Sequence, residues 1–367
     1  MNKYLLVLIA LLFGLFFLAY VLRRWKWVSN LALAGAAVLF IVLVSEFTYR
    51  WFFRRGDIIK QQECMQRCFL PDSLLGFKPG LPGSWRITTL TPGGDTVVDT
   101  RYTILSDSIY NHRVSYSNVA SRNDVIFLGC SFTFGESIAD TATLPYLFGR
   151  SNNITTVNLG CPAYGLHQVY QLWKTKYGNI SNEGRVFVYS LLSDHFYRAA
   201  GVYDWNLDGP YFRQVADSVV FAGRVDRNIN MRYRRAPYYL SFFGSLRLVE
   251  DKLSDYALRK RMKSFDQQEY DRIFSLLKNM SAAITKSGGK LIILNWDRNN
   301  WGYQGYDFPF QEQLDKDVQS LQQAGVSVIP VSSFLNYNDP ANFIPNDGHP
   351  TLLANQRISA RLADIAN

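Results

Sequence analysis

Three residues far apart in this chain have the types that nucleophilic acyl chemistry needs. Ser131 stands in the run Gly129-Cys130-Ser131-Phe132-Thr133-Phe134-Gly135, and Asp347 and His349 stand together in Asp347-Gly348-His349-Pro350. A serine hydroxyl is too weak an acid to attack a carbonyl at neutral pH, so a neighbouring base must take its proton. An imidazole does this when a carboxylate holds its tautomer and stabilises the imidazolium. Residues i and i+2 of an extended segment project to the same side. Asp347 can therefore reach one ring nitrogen of His349 while the other faces Ser131. Each half alone has a bland reading, because Asp, Gly and Pro are turn formers and a Gly-x-Ser turn arises by chance. The chain holds four histidines, and one of them falls in this context.

These residues need a scaffold that brings the two ends together. Val125-Ile126-Phe127-Leu128, just before the serine block, is an apolar run that reads as a buried parallel strand. The C-terminal ends of such strands are where an open α/β sheet places its chemistry. From residue 124 onward, apolar runs at 125–129, 154–159, 186–191, 290–295 and 326–331 alternate with helical patterns. That rhythm predicts a parallel sheet. A punctuated stretch at 199–237 interrupts it, and two helices follow at about 238–262 and 266–287. The second has Asp266 as its N-cap and Gly288-Gly289 as its exit.

A third element lies between the two halves: Asn158-Leu159-Gly160-Cys161-Pro162-Ala163-Tyr164-Gly165, after the strand at 154–159. With the serine block and the Asp-x-His block, it makes the chain resemble the SGNH/GDSL hydrolase superfamily over residues 124–367. The resemblance implies a three-layer α/β/α sandwich with a parallel sheet. It also implies Ser131 as nucleophile, His349 and Asp347 as its partners, and the amides of Ser131 and Gly160 as an oxyanion hole. Two departures stand out. Cys130 occupies the position before the nucleophile where the family has Asp. In the third block, which follows the strand at 186–191, Ser193 stands where the family has an oxyanion-binding Asn. Three uses fit this block: Ser193 as a third donor of shorter reach than Asn, Ser193 as the cap of the next helix, or His195 as the donor instead.

Before residue 124 the texture differs. Residues 4–22 and 27–44 are apolar runs separated by Arg23-Arg24-Trp25-Lys26, and each is close to the length that crosses a bilayer. Two runs in tandem argue against a cleaved signal peptide. The expectation is two transmembrane helices over 1–45, with the basic loop cytoplasmic and the large domain extracytoplasmic. Arg50, Arg54, Arg55 and Lys60 beyond the second run oppose that orientation. A helical stalk at 46–68 and a small β-rich module at 69–123 follow, and 199–265 reads as an insertion in the catalytic domain. The net charge of +9 reads as a juxtamembrane band against anionic headgroups. No nucleic-acid motif accompanies it, so nucleic acid is not an expected partner.

Cys64 and Cys68 lack a second Cys/His pair at ligand spacing, so no metal is expected, and the acyl chemistry calls for no cofactor. A disulfide at Cys64 and Cys68, or between Cys130 and Cys161, stays open at this stage. The loop after the strand at 290–295, Trp296-Asp297-Arg298-Asn299-Asn300-Trp301, sets aromatic faces beside polar groups as saccharide sites do. Trp296, Asp297 and His195 are thus candidate substrate contacts. The whole reads as a membrane-anchored serine esterase for O-acyl, chiefly acetyl, esters of envelope or secreted saccharides. A saccharide O-acyltransferase with a membrane protein partner, or a catalytically weak glycan-binding protein, are the rivals.

Overall fold

The computed structural model describes residues 3–52, 59–62, 69–90, 94–118, 120, 124–216, 218–229, 244–298, 306–345 and 347–366. The chain divides into two compact units, one of residues 1–58, 91–94 and 235–257, the other of 59–90, 95–234 and 258–367.

In the first unit, helices α1 (Lys3–Val21) and α2 (Lys26–Phe52) pack against each other through small residues. Ala19, Ala32 and Ala36 are buried, and the Ser29 hydroxyl donates to the Ala19 carbonyl at 3.0 Å. Phe13, Phe17, Leu31, Ile41 and Phe47 are exposed. By length and composition one helix among the described residues, Lys26–Tyr49, is long and apolar enough to cross a membrane, and Val7–Val21 is a shorter apolar helix.

The second unit corrects the expected stalk and module. Helix α2 ends at Phe52, and residues 59–62 form strand β1 (Ile59–Gln62) rather than a helix. After the hairpin β2 (Phe69–Asp72) and β3 (Gly76–Pro79) come β4 (Gly83–Leu90), β5 (Thr96–Leu105) and β6 (His112–Arg113). These join β7 (Val125–Leu128), β8 (Thr156–Asn158), β9 (Val186–Leu192), β12 (Lys290–Trp296) and β13 (Ser327–Pro330) in one sheet. Its order is β1-β4-β5-β6-β8-β7-β9-β12-β13. Strands β10 (Pro210–Val215) and β11 (Ser218–Arg224) form a separate hairpin inside the 199–265 region. All five expected parallel strands are present, and β7 to β9, β12 and β13 pair in parallel. The segment 69–123 is not a separate module: β6 meets β8 at Arg113 opposite Asn158, extending the sheet in antiparallel fashion. Residues 59–62 pair with 87–90, which satisfies a row of backbone groups that an open edge would leave bare.

Alternation along the parallel strands builds a core on each face. Ile126, Leu128, Phe187, Tyr189, Leu191, Leu291 and Ile293 belong to one apolar cluster. Helices α5 (Leu166–Tyr177), α8 (Gln267–Lys286) and α9 (Gln311–Gln323) cover it, and the last turns of α7 (Gly244–Lys263) add Leu258 and Met262. Val125, Phe127, Val188, Leu192, Ile292 and Leu294 face the other way, under α4 (Leu144–Asn152) and α10 (Leu352–Ala366). Between these lie two short helices at the strand ends, α3 (Ser131–Phe134) and α6 (Asp194–Ala199). Helix α8 shows why the pattern folds: Tyr270, Ile273, Phe274, Leu277, Met280 and Ile284 recur at helical spacing and are buried. The carboxylate of Asp266 caps it by accepting from the Glu269 amide at 2.9 Å, and Gly288 leaves it with φ +86°.

Candidate active site

The serine block turns sharply at the end of β7. Gly129 has φ +151°, and a Cβ there would run into the Thr133 side chain, so glycine is required. Ser131 then opens the single turn α3, closed by Gly135 in the left-handed region with its N–H on the Ser131 carbonyl at 2.8 Å. The Ser131 hydroxyl is 3.9 Å from the Cys130 sulfur, to which it donates. No acceptor for the Ser131 amide is recorded among the described residues, as expected for the first N–H of a helical turn. The second block presses on this turn, because a Cβ on Gly160 would collide with the backbone of Thr133 and Phe134. The Gly160 amide departs from the expected oxyanion role: it donates to Asn158 Oδ1 at 3.1 Å.

The last block arrives from the opposite end of the chain. A bridge between Phe343 and Pro350 and the bond from the Ile344 amide to the His349 carbonyl close a tight loop with Gly348 at φ +80°. Within it Asp347 Oδ1 and His349 Nδ1 are hydrogen-bonded. The His349 ring lies edge-on to Phe132, the residue after Ser131, with centroids 5.6 Å apart. Its Nε2 faces Glu136 Oε2 at 3.6 Å. No hydrogen bond links Ser131 to His349 directly among the described residues.

Several neighbours of this pair escaped the reading of the sequence. The second Asp347 oxygen accepts from the Ser137 hydroxyl at 2.9 Å. Arg113 of β6, fully buried, donates to Asp140 at 2.9 Å, to the Phe134 carbonyl at 2.9 Å, to the Ile138 carbonyl at 2.6 Å, and to the Gly135 carbonyl. Its guanidinium lies over the Tyr102 ring at 4.2 Å. Glu136 and Ser137 directly follow the serine block and could have been flagged from that position. Arg113 and Tyr102 carry no signal, because only the sheet register brings β5 and β6 to the serine turn.

The third block is not open to the site. Asp194, buried, pairs with the part-buried Arg198 at 2.6 Å and accepts from the buried Tyr203 hydroxyl at 2.5 Å. His195 is fully buried with Nδ1 2.7 Å from the Tyr189 hydroxyl. Burial first, then the positive charge of Arg198, pushes its pKa well below the ordinary imidazole value. His195 is therefore a neutral core residue rather than a substrate contact. The Ser193 side chain does not cap α6, and its hydroxyl is buried with no partner recorded among the described residues.

The loop after β12 also departs from expectation. Trp296 is 2 % exposed and packs edge-on to Phe132 at 4.7 Å, so it offers no free face for stacking. Asp297 accepts from the Ser332 amide at 3.0 Å and the Tyr337 hydroxyl at 2.7 Å, which ties the β12 and β13 loops together. Asn299, Asn300 and Trp301 lie outside the described residues. Cys130 and Cys161 are free, buried thiols, and burial pushes the Cys161 thiol up. Cys64 and Cys68 also lie outside the described residues.

No family profile and no curated protein matches the sequence. Among solved structures, the chain is similar to a GDSL-family lipolytic protein from Veillonella parvula, with 12 % identity and a TM-score of 0.39, over 66 % of this chain and 97 % of that one. It is similar to an acylhydrolase from Bacteroides fragilis at 16 % identity and a TM-score of 0.38, over 69 % and 90 % of the two chains. A catalytic mutant of an acetylxylan esterase from Geobacillus stearothermophilus matches at 10 % identity and a TM-score of 0.36, over 68 % and 96 %.

Proposed function

We propose that this chain is a serine esterase acting on O-acyl esters. Ser131 is the nucleophile, His349 the base and then the acid, and Asp347 the group that holds the imidazole tautomer. The observation that carries this reading is the Asp347–His349 hydrogen bond set against the ring of Phe132, next to Ser131. As the Ser131 oxygen bonds to the ester carbonyl carbon, its proton passes to His349 Nε2. The oxyanion gathers at the Ser131 amide, a type of donor worth roughly 3–4 kcal/mol. Collapse breaks the C–O bond, and the alcohol leaves with the proton from His349. Water, deprotonated by the same nitrogen, then releases the acid and restores Ser131. Catalytic hydrogen bonds are often long before substrate closes the site, which is consistent with the separation of Ser131 and His349.

The exposed apolar side chains of α1 and α2 support a membrane anchor formed by both helices. Arg23, Arg24 and Lys26 between them favour a cytoplasmic loop and an extracytoplasmic enzyme. An acetylated saccharide of the envelope or of a secreted polymer is the substrate that such a placement suits. The same apolar pair supports a second reading, in which the helices dock on a membrane protein partner and a sugar hydroxyl replaces water as acceptor.

Labelling of Ser131 by a fluorophosphonate probe, with acetate release from acetylated glycans, tests the chemistry. Absence of both removes the esterase reading. A reporter fused after Asn367 tests the topology and should be active only outside the cytoplasm.

A further inference from the structure

Ser137 is held in an unusual state. It is a buried non-glycine residue with φ +67°, in the left-handed region that L side chains rarely adopt. Such a conformation persists only where its surroundings over-determine it, and it clusters at functional sites. Two hydrogen bonds do so here. The Ser137 amide donates to the Tyr102 hydroxyl at 2.5 Å, and the Ser137 hydroxyl donates to Asp347 Oδ2 at 2.9 Å.

We infer that Ser137 is a positioning residue for Asp347, and that Tyr102 of β5 holds Ser137 in place, so that the antiparallel strands form part of the active centre. The inference rests on the proposed triad. A carboxylate bonded at one oxygen only can rotate about its terminal torsion, and the imidazole it carries turns with it. Asp347 is bonded at both oxygens, to His349 through Oδ1 and to Ser137 through Oδ2. Its orientation is thereby set by the residue six positions after Ser131, which references the base to the nucleophile's own turn.

The outer end of this chain of contacts is equally fixed. Burial first, then the negative charge of Glu136, pushes the Tyr102 phenol upward, so it stays a neutral hydroxyl able to accept from Ser137. The Tyr102 ring lies under the Arg113 guanidinium and edge-on to Phe134 at 5.3 Å. Next to Tyr102, the Thr103 amide donates to Asp140 Oδ2 at 3.1 Å. Strands β5 and β6 thus grip residues 134–140 from one side, and Asp347 receives the result on the other. A purely structural grip would stabilise the turn without affecting the imidazole, and the two roles separate experimentally.

The test uses the full chain in detergent, hydrolysis of p-nitrophenyl acetate, and thermal unfolding. Ser137→Gly removes the hydroxyl and relieves the left-handed strain together. Its kcat should fall roughly ten- to a hundredfold, as for loss of a hydrogen bond to a charged group, while the melting temperature holds or rises. KM should stay within about twofold, because the interaction orients the base and does not bind substrate. Tyr102→Phe keeps the ring and should lower kcat by a smaller factor. In the double variant the losses should not multiply, since both act through one chain of contacts. Wild-type kcat in Ser137→Gly, or a loss matched by a lower melting temperature, overturns the inference. Ser131→Ala in the same assay distinguishes the levels. If it remains active, the esterase reading fails and this inference with it. If it is dead while Ser137→Gly is normal, only the positioning role falls.

Discussion

The loops that follow β7 and β9 leave neighbouring parallel strands at the same edge of the sheet, and each carries a serine with a carboxylate after it: Ser131 with Glu136 five positions on, and Ser193 with Asp194 next to it. They are built in opposite ways. After β9, the ion pair is local: Asp194 meets Arg198 four residues on and Tyr203 nine residues on, the neutral His195 meets Tyr189 six residues back, and Arg198 also donates to the Tyr164 carbonyl. The result is sealed and neutralised. After β7, the polar groups find partners far along the chain: Ser137 reaches Asp347 across 210 residues, and Glu136 faces His349. The His349 side chain keeps 15 % of its surface exposed. A buried carboxylate beside its own arginine is structural, because breaking the pair costs more than making it yields. A carboxylate whose partner is a partly exposed imidazole can support proton transfer. Position at the same edge of a sheet therefore does not give two loops the same environment; the partners that satisfy their polar groups differ.

The comparison breaks most visibly at Ser131. Ser131→Ala should lower ester turnover by roughly 10⁴-fold or more and barely move the melting temperature, and His349→Ala should cost about as much. Turnover near wild type in either variant would erase the distinction between the two loops. Asp194→Ala should do the reverse. It strands the buried Arg198 cation and should destabilise the fold by roughly 3–5 kcal/mol, read by denaturant unfolding. Lost turnover in an Asp194→Asn variant of unchanged stability would move the third block back into the chemistry.

A smaller effect tests how sealed this side is. His167, on α5, is fully buried, and burial first, then Arg272 and Arg198, pushes its pKa down from 6.5 to about 3. Below pH 6.5 the unfolded chain binds a proton that the folded imidazole refuses until about pH 3, so stability falls as pH drops through that window. His195 acts in the same direction. His167→Leu should make the decline in melting temperature between about pH 7 and about pH 4 shallower; an unchanged slope means that the imidazole is hydrated. The smallest effect is at Ser193. Its hydroxyl is buried without a recorded partner, so Ser193→Ala should shift stability by less than about 1 kcal/mol, in either direction. Turnover should stay within about threefold, and a loss of tenfold or more would restore Ser193 as an oxyanion donor.

Periodic and contiguous features were legible in the chain alone. The five parallel strands, helix α8 with its Asp266 cap, and the Asp347–His349 contact each depend on residues a few positions apart. Their physics is local: alternation, helical recurrence, capping, and the reach of one side chain to the next but one. Tertiary structure decided everything that depends on which distant segments meet. Residues 59–62 became an edge strand because β4 presented an unpaired ladder, against a helical reading of the same stretch. The antiparallel strands joined the main sheet through a single register point at Arg113, and that carried Arg113 and Tyr102 to the serine turn. Trp296 and His195 have the composition of a substrate site and are core residues, because the sheet buries both of its faces. Side-chain type sets what a residue can do, but burial and the partners supplied by the fold select which of those uses is realised.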